Sequence, residues 1–276
     1  ICRAYLERGM HNLSQPVRLF YFCPVFRYER PQAGRFRQHH QFGIEVLGDD
    51  DPSVDAEVVE TAWTLMAQLG LTDLSLLINS IGDPKCRPAY LEALRTYYSQ
   101  HSNTLCQNCR SRFNRNPLRL LDCKQDTCKR VAVNAPHSVD HLCLECASHW
   151  DHLQRYLTDM PIPFKVDHRL VRGMDYYTRT VFEIVPKEQG SQSTICGGGR
   201  YDGLIQELGG KPTAGIGFAA GMERIVLNLK RQDEISIPDE PSPTYLVSAP
   251  TPATRGKALQ LALQIRTAGT GAMLAN

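Results

Sequence analysis

The chain has 276 residues, 42% of them apolar and 22% charged, an ordinary globular composition long enough for about two domains. A net charge of +2 excludes a strongly basic nucleic-acid binder, so any nucleic acid must be met by a local patch. No apolar run reaches the length that spans a membrane, and no signal peptide is visible.

The first residues, ICRAYLERGM, read as a helix entered part-way, so the chain is expected to begin inside a longer protein. Residues 17–29 and 39–47 are rich in β-branched and aromatic residues and read as a hairpin. Side chains alternate along a strand. Arg27 and Glu29 therefore share one face, opposite Phe26 and Tyr28, and Gln41, Gly43 and Glu45 form the polar face of the second strand, opposite Phe42, Ile44 and Val46. The connection, RPQAGRFR, carries Arg30, Arg35 and Arg37 around a glycine, which suits a loop closing over phosphates. Two readings stay open here: a half-solvated antiparallel sheet, or a face for a charged ligand, with Gly43 marking its close approach.

From Asp51 the period changes. Val54, Val58, Leu65, Met66 and Leu69 recur at helical spacing, and Asp51 or Ser53 can cap the start. Residues 74–79 read as a buried strand and 87–99 as a helix. Between about 101 and 150 apolar periodicity fades and Cys, His, Asn and Arg accumulate, which predicts an inserted subdomain. Strand signals return at 163–167, 177–185 and 193–197.

Within 168–184, Arg172, Gly173, Asp175, Tyr176 and Tyr177 form a dense polar and aromatic cluster, either an edge turn or the wall of a small-molecule pocket. GGGRYDGL (197–204) matches neither dinucleotide nor P-loop spacing and is expected to be a tight glycine turn into a short helix. GIGFAAGMER (215–224) reads as a strand and then a helix with Arg224 in its first turn. A cation there opposes the helix dipole, so it needs a reason such as clamping an anion. Residues 231–243 form a polar, Pro-bearing linker, followed by one strand and one helix.

Ten cysteines in a chain of this length, without a secretory signal, read as reduced thiols. Cys106-x-x-Cys109, Cys123-x-x-x-x-Cys128 and Cys143-x-x-Cys146, flanked by His101, His137, His141 and His149, have zinc-like spacing. The competing reading is that they are small hydrophobes packing inward.

Taken together, these stretches resemble class II aminoacyl-tRNA synthetases, and within that class the histidyl-tRNA synthetase family of bacterial type. VFRYERPQAGRFRQHHQFGIE resembles motif 2, GIGFAAGMERIVL resembles motif 3, and LVRGMDYYTRTVFE and GGGRYDGL resemble the two histidine-specific motifs. NPLRLLDCK (116–124) is similar to the opening of the family's insertion domain. The likeness covers nearly all of residues 1–235. It implies an α+β fold, an antiparallel sheet flanked by helices. The implied layout is a catalytic core at 1–84 and 161–232, a mostly helical insertion at 85–160, a linker at 233–243 and part of an α/β anticodon-binding domain at 244–276. Motif 1 and an Arg-Pro-Glu loop would precede Ile1, so the chain is expected to be a piece, incomplete at both ends and poorly active alone.

The resemblance implies a cytoplasmic, homodimeric ligase that activates L-histidine with ATP and Mg²⁺ and charges tRNA(His). It implies that Arg27 and Arg172 are catalytic and that Arg27, Glu29, Arg35, Arg37 and Arg224 hold ATP. Histidine falls to Arg27, Gln41, Glu45, Arg172, Tyr176, Tyr177 and Tyr201. Neutral imidazole offers one donor and one acceptor, which Glu45 and Tyr177 can meet. No metal-ligating residue is assigned. Structural zinc is not favoured, because the family's insertion does not generally need it. Arg110, Arg112, Arg115 and Arg119 offer a basic surface to the tRNA acceptor arm, or simply a solvated face. A second reading is a regulatory paralogue that binds histidine without catalysis, and a third a synthetase-like domain of a larger signalling protein. Such paralogues erode the catalytic arginines, whereas Arg27, Arg172 and Arg224 all stand here.

Overall fold

The structure is a computed structural model describing residues 1–28, 36–187, 194–232 and 242–275. Glu29 and Arg35, and most of the expected linker, lie outside the described residues. The chain divides into two compact units, Ile1–Arg231 and Gln232–Asn276.

In the first unit the elements run α1 (Cys2–Glu7), β1 (Val17–Phe26), β2 (Gln38–Leu47), α2 (Pro52–Gln68), β3 (Leu74–Ser80), α3 (Arg87–Gln100), α4 (Gln107–Arg112), α5 (Asp126–Ala132), α6 (Leu144–Asp159), β4 (Phe164–Val166), β5 (Thr178–Pro186), β6 (Cys196–Arg200), α7 (Leu204–Glu207), β7 (Gly215–Gly221) and α8 (Met222–Leu229). Among the described residues seven strands form one sheet in the order β1-β2-β7-β6-β5-β3-β4. Every pairing is antiparallel except β3 with β4. The expected α+β class holds.

Strand alternation decides which face becomes core. Val46, Leu76, Ile78, Phe182, Ile184, Ile216 and Phe218 point to one face and pack under α2 and α6. On α2, Val54, Val58, Val59, Ala62 and Met66 are buried, and each large apolar side chain so buried contributes about 1.5–3 kcal/mol. Asp51 caps this helix, its Oδ1 accepting the Ser53 amide at 2.8 Å, with Pro52 at the first helical position, where its missing N–H costs nothing. Leu69, expected on the buried face, is exposed just past the helix end. Trp150, Leu153 and Leu157 of α6 share this core, so the helix that ends the Cys- and His-rich stretch is built into the main sheet's core.

The edge strand β1 breaks the pattern. Its outward residues Phe20, Phe22 and Phe26 are 84%, 60% and 72% exposed, on the face opposite Tyr21. GGGR also departs from expectation: the three glycines lie inside the central strand β6 and are buried, rather than in a turn. The second unit is a parallel pair, β8 (Tyr245–Ser248) and β9 (Ala272–Ala275), with α9 (Arg255–Thr267) packed on it through Ala258 and Ala262.

Candidate active site

The face of the sheet away from α2 is floored in its middle by small residues. Two registers cross it. One runs Tyr21, Gly43, Ala219, Gly197, Glu183 and Leu77; the next runs Leu19, Glu45, Gly217, Gly199, Val181 and Asn79. Residues directly opposite across antiparallel strands share a face, so four glycines and an alanine floor this region. Each glycine lies under a neighbouring side chain. A Cβ at Gly43 would press within 2.8 Å of the Tyr21 ring, and one at Gly199 within 2.9 Å of the Tyr177 ring. At Gly197 it would strike the Arg172 guanidinium, and at Gly217 the Glu45 carboxylate. The glycines let these side chains lie flat on the sheet, a role that requires the strand that replaced the expected turn.

Glu45 is half-buried. The Tyr201 hydroxyl donates to its Oε2. Burial pushes its pKa up to about 7, and the Tyr201 hydrogen bond offsets only part of that rise. Tyr176 continues the wall, its ring 6.1 Å from Tyr201 and 4.8 Å from Tyr177. Gln41 donates to the Tyr21 hydroxyl at 2.7 Å. A half-buried carboxylate bonded to Tyr201 thus stands beside a wall of tyrosine rings, Tyr201, Tyr176 and Tyr177, which we call the tyrosine slot.

Arg172 is held from several directions. Its Nη1 pairs with Glu183, whose other oxygen accepts the Thr194 hydroxyl at 2.9 Å, and its guanidinium lies 5.9 Å from the Tyr177 ring centroid. Arg224, in the first turn of α8, donates to the Thr194 carbonyl at 2.5 Å. Arg27 follows the end of β1, where its amide donates to the Arg37 carbonyl at 2.7 Å. A cavity of about 130 Å³ is lined by Arg27, Arg172 and Arg224 together with Phe36, His39, Gln41 and Glu223, above Gly197, Ala219 and Gly221. Glu223 is committed elsewhere, accepting the His40 amide at 2.8 Å and facing His40 Nδ1 at 3.0 Å. The three arginines therefore dominate the charge of the cleft.

Of the expected site residues, Arg27, Gln41, Arg172 and Arg224 come together in this cleft, and Glu45, Tyr176, Tyr177 and Tyr201 form the adjoining slot. Arg37 does not join them; it is exposed at the base of the hairpin and is not among the lining residues. Sequence reading takes His39 as structural, but it shares the parity of Gln41 and lines the cleft with both ring nitrogens buried. Burial and the Arg27 charge lower its pKa. Strand parity could have found it. Glu183 and Thr194, which position Arg172, had no local signal.

Behind the slot lies a buried ionic network. Asp55 on α2 and Arg200 at the end of β6 are both fully buried and paired. Asp55 also accepts the Thr180 hydroxyl at 2.5 Å and meets His149 Nε2 at 2.8 Å. Full burial works to raise the Asp55 pKa, but Arg200 and His149 outweigh it and hold it below the ordinary carboxylate value. Arg200 reaches the Asp49 carbonyl at 3.0 Å and Asp202 at 3.1 Å. This network fixes α2 to the strand that leads into Tyr201.

The insertion also reaches the site. Arg119 donates to the Gly173 carbonyl at 3.0 Å, and Asn116 to Asp175 at 2.9 Å. Arg87, opening α3, donates to the Tyr177 carbonyl at 2.5 Å. The segment carrying Arg172, Tyr176 and Tyr177 is thus braced from outside the sheet. Arg119, expected on a basic surface, is engaged here, and Arg110 donates to the Leu105 carbonyl at 2.8 Å.

The family model described as histidyl-tRNA synthetase matches residues 3–225. The chain is 55% identical over 271 residues to a histidine–tRNA ligase of Dehalococcoides mccartyi, covering 98% of this chain and 65% of that protein. It is 54% identical over 226 residues to one from Desulfitobacterium hafniense, 82% of this chain and 53% of the relative. The chain thus spans less than two thirds of the length of these relatives. Among solved structures, apo histidyl-tRNA synthetase of S. aureus superposes over the whole chain and 66% of its own, with a TM-score of 0.67 at 36% identity.

Proposed function

The chain belongs to the histidyl-tRNA synthetase family, and we propose that it carries the catalytic unit of a histidine–tRNA ligase. In the first step the carboxylate of L-histidine attacks the α-phosphorus of ATP, and pyrophosphate leaves with histidyl-adenylate formed. In the second, the histidyl group passes to the terminal ribose of tRNA(His). The observation that carries this reading is the adjacency of two environments on one glycine floor: a cleft lined by Arg27, Arg172 and Arg224, and a slot closed by Glu45 with Tyr201.

Bringing a carboxylate to a polyphosphate gathers negative charge, so catalysis depends on cations fixed before the reaction begins. Arg172, held by Glu183, is assigned to the α-phosphate in the transition state. Arg27 bridges the α-phosphate and the substrate carboxylate, and Arg224 takes the γ-phosphate. Glu29 is assigned to the adenine, and Arg35 and Arg37 to the loop that covers ATP. Mg²⁺ enters with ATP, held through phosphates and water; this fits a cleft whose carboxylates Glu183 and Glu223 are already engaged.

Histidine is selected by hydrogen bonds. Glu45 accepts an imidazole N–H, Tyr177 serves the other ring nitrogen, Gln41 holds the α-amino end, and Tyr176 and Tyr201 form the walls. A site built this way rejects analogues lacking the donor far better than an apolar slot does. The alternative, a histidine-binding regulatory paralogue, has no use for three arginines in one cleft, and their presence supports the ligase.

The complete protein is read as a cytoplasmic homodimer, and the exposed Phe20, Phe22 and Phe26 on the edge strand suit an interface. Residues 85–160 are read as the insertion and 244–276 as part of the anticodon-binding domain. No helix of the described residues is long and apolar enough to cross a membrane. The test is histidine-dependent ATP–pyrophosphate exchange, followed by charging of tRNA(His). Exchange that any other amino acid supports equally, or none at all from the complete protein, overturns the reading.

A further inference from the structure

The six cysteines of the insertion do not form one cluster. They separate into two groups, and the fold recruits two more residues that spacing did not include. In the first group the Sγ atoms of Cys106, Cys109, Cys123 and Cys128 all lie within 4.8 Å of one another. In the second, Cys143 and Cys146 at the start of α6 meet Asp83 and Cys86 from the loop after β3, with ligand atoms again within 4.8 Å.

The separations are those of ligands around an ion. Four thiolates on a tetrahedral zinc at about 2.3 Å stand about 3.8 Å from each other. Cys106 and Cys123 are 3.9 Å apart, far beyond the ~2.05 Å of a disulfide, and all ten cysteines are free.

The backbone around the sulfurs is arranged for thiolates. The Cys106 amide donates to Cys128 Sγ at 3.2 Å, and the Asp83 amide to Cys86 Sγ at 3.4 Å. The amides of Cys109, Gln125 and Cys146 are aimed at the sulfurs of Cys106, Cys123 and Cys143. A neutral thiol packed as a small hydrophobe is only a weak acceptor and needs no such set of donors. Asp83 accepts the Lys85 and Cys86 amides through Oδ1, at 2.9 and 3.2 Å, which fixes the carboxylate beside Cys86 Sγ, 3.4 Å from the same oxygen.

The surroundings need such staples. Between α3 and α6 the longest regular element is the seven-residue α5, and helices this short do not hold themselves in water. The first group ties the start of α4 to the 123 loop and α5. The second ties the entry of the insertion, beside β3, to its exit at α6.

We propose that the insertion carries two structural zinc sites. One is a four-cysteine site at Cys106, Cys109, Cys123 and Cys128. The other combines one carboxylate with three thiolates, at Asp83, Cys86, Cys143 and Cys146. Thiolate-rich tetrahedral sets select zinc over magnesium or calcium. The spacing of the cysteines is zinc-like, and it was the family resemblance that left packing as the preferred reading; their convergence in three dimensions reverses that preference. Cys123 closes the same NPLRLLDC segment that supplies Asn116 and Arg119, so the first site also steadies the brace on the Arg172 loop.

The test is the metal content of the chain purified without chelators. Two zinc ions per chain are expected, falling to one in Cys123→Ser and to one in Cys146→Ser. A variant that keeps both ions overturns the site it was aimed at. A folded chain with no bound metal, or with iron in place of zinc after zinc-replete expression, overturns both. Should the variants fail to fold, cobalt substitution of the unaltered chain decides. Intense d–d bands with sulfur-to-cobalt charge transfer at two equivalents support the sites, and octahedral, sulfur-free spectra overturn them. Neither outcome bears on the ligase reading, which stands or falls on pyrophosphate exchange.

Discussion

The Arg172 guanidinium rests on the backbone of Gly197, in space that a single methyl group would occupy. Gly197→Ala should therefore act as a catalytic mutation although residue 197 carries no chemistry. The obstructed atoms are the far end of a flexible side chain, so the fold adjusts cheaply, but Arg172 must leave Glu183 and the sheet. We expect a 10²–10³-fold loss in the rate of pyrophosphate exchange, the range seen when one transition-state donor is removed. ATP binding should be little changed and the melting temperature nearly so. Arg172→Ala should show the same profile. Exchange at the wild-type rate in Gly197→Ala would mean that Arg172 acts from another position.

If Glu45 accepts the substrate imidazole as proposed, histidine recognition should be sensitive to pH. Its pKa is pushed up to about 7 from an ordinary 4.5. The folded chain thus keeps a proton that the unfolded chain releases, and its stability contribution declines as pH rises across that window. Recognition runs the opposite way. An ionised carboxylate is the stronger acceptor for an imidazole N–H, and histidine itself loses its ring proton near about 6.5. Histidine affinity should rise between pH 6 and 8 by more than the ligand's own titration explains. Calorimetry on the wild type and on Glu45→Gln separates the two contributions, since the variant should bind weakly and retain only the ligand's titration. An unchanged pH profile in Glu45→Gln rules the assignment out.

How much of this was legible in advance follows from what kind of signal each residue sends. The hairpin, the α2 cap and the strand-to-helix junction at Gly221 are local, and period, the cap candidates Asp51 and Ser53, and the glycines announced them. Gln41 and Glu45 were visible because alternation puts them on one face. The glycines of β6 were misread because a glycine run is ambiguous by itself; only the side chains above it, Arg172 and Tyr177, explain it, and they come from the segment before β5. Glu183 was hidden in an apolar strand, and nothing local marks Asp55 on α2 as buried, because its partner Arg200 lies far along the chain. Pairings across such separations leave no mark on local pattern.

That Asp55–Arg200 pair should dominate the response of the fold to mutation. Both side chains are fully buried, so removing one charge strands the other. Asp55→Asn is expected to cost about 3–5 kcal/mol, read as a lowered urea midpoint with an unchanged slope. The Asp55 pKa lies below its unfolded value. Its contribution is therefore complete above the ordinary carboxylate range and lost as pH falls through the folded value. A double replacement by apolar residues of similar volume should recover much of the loss, because it leaves no buried charge alone. A single variant as stable as wild type would show that water reaches the pair.

Arg119 separates two ideas about the insertion. Its bond to the Gly173 carbonyl makes it a brace for the loop that carries Arg172, whereas a basic-surface role would direct it at tRNA. Pyrophosphate exchange needs no tRNA, so it distinguishes them. A hydrogen bond from a charged donor contributes about 1.5–3 kcal/mol, and part of that is expected to appear in the loop's order. Arg119→Ala should lower kcat/KM for histidine in exchange by about tenfold, each factor of ten corresponding to about 1.4 kcal/mol. The KM for tRNA should change little. Faster amide exchange at residues 172–175 should accompany the loss. If exchange is untouched and only the tRNA KM rises, Arg119 is a contact for the acceptor arm and the brace is dispensable.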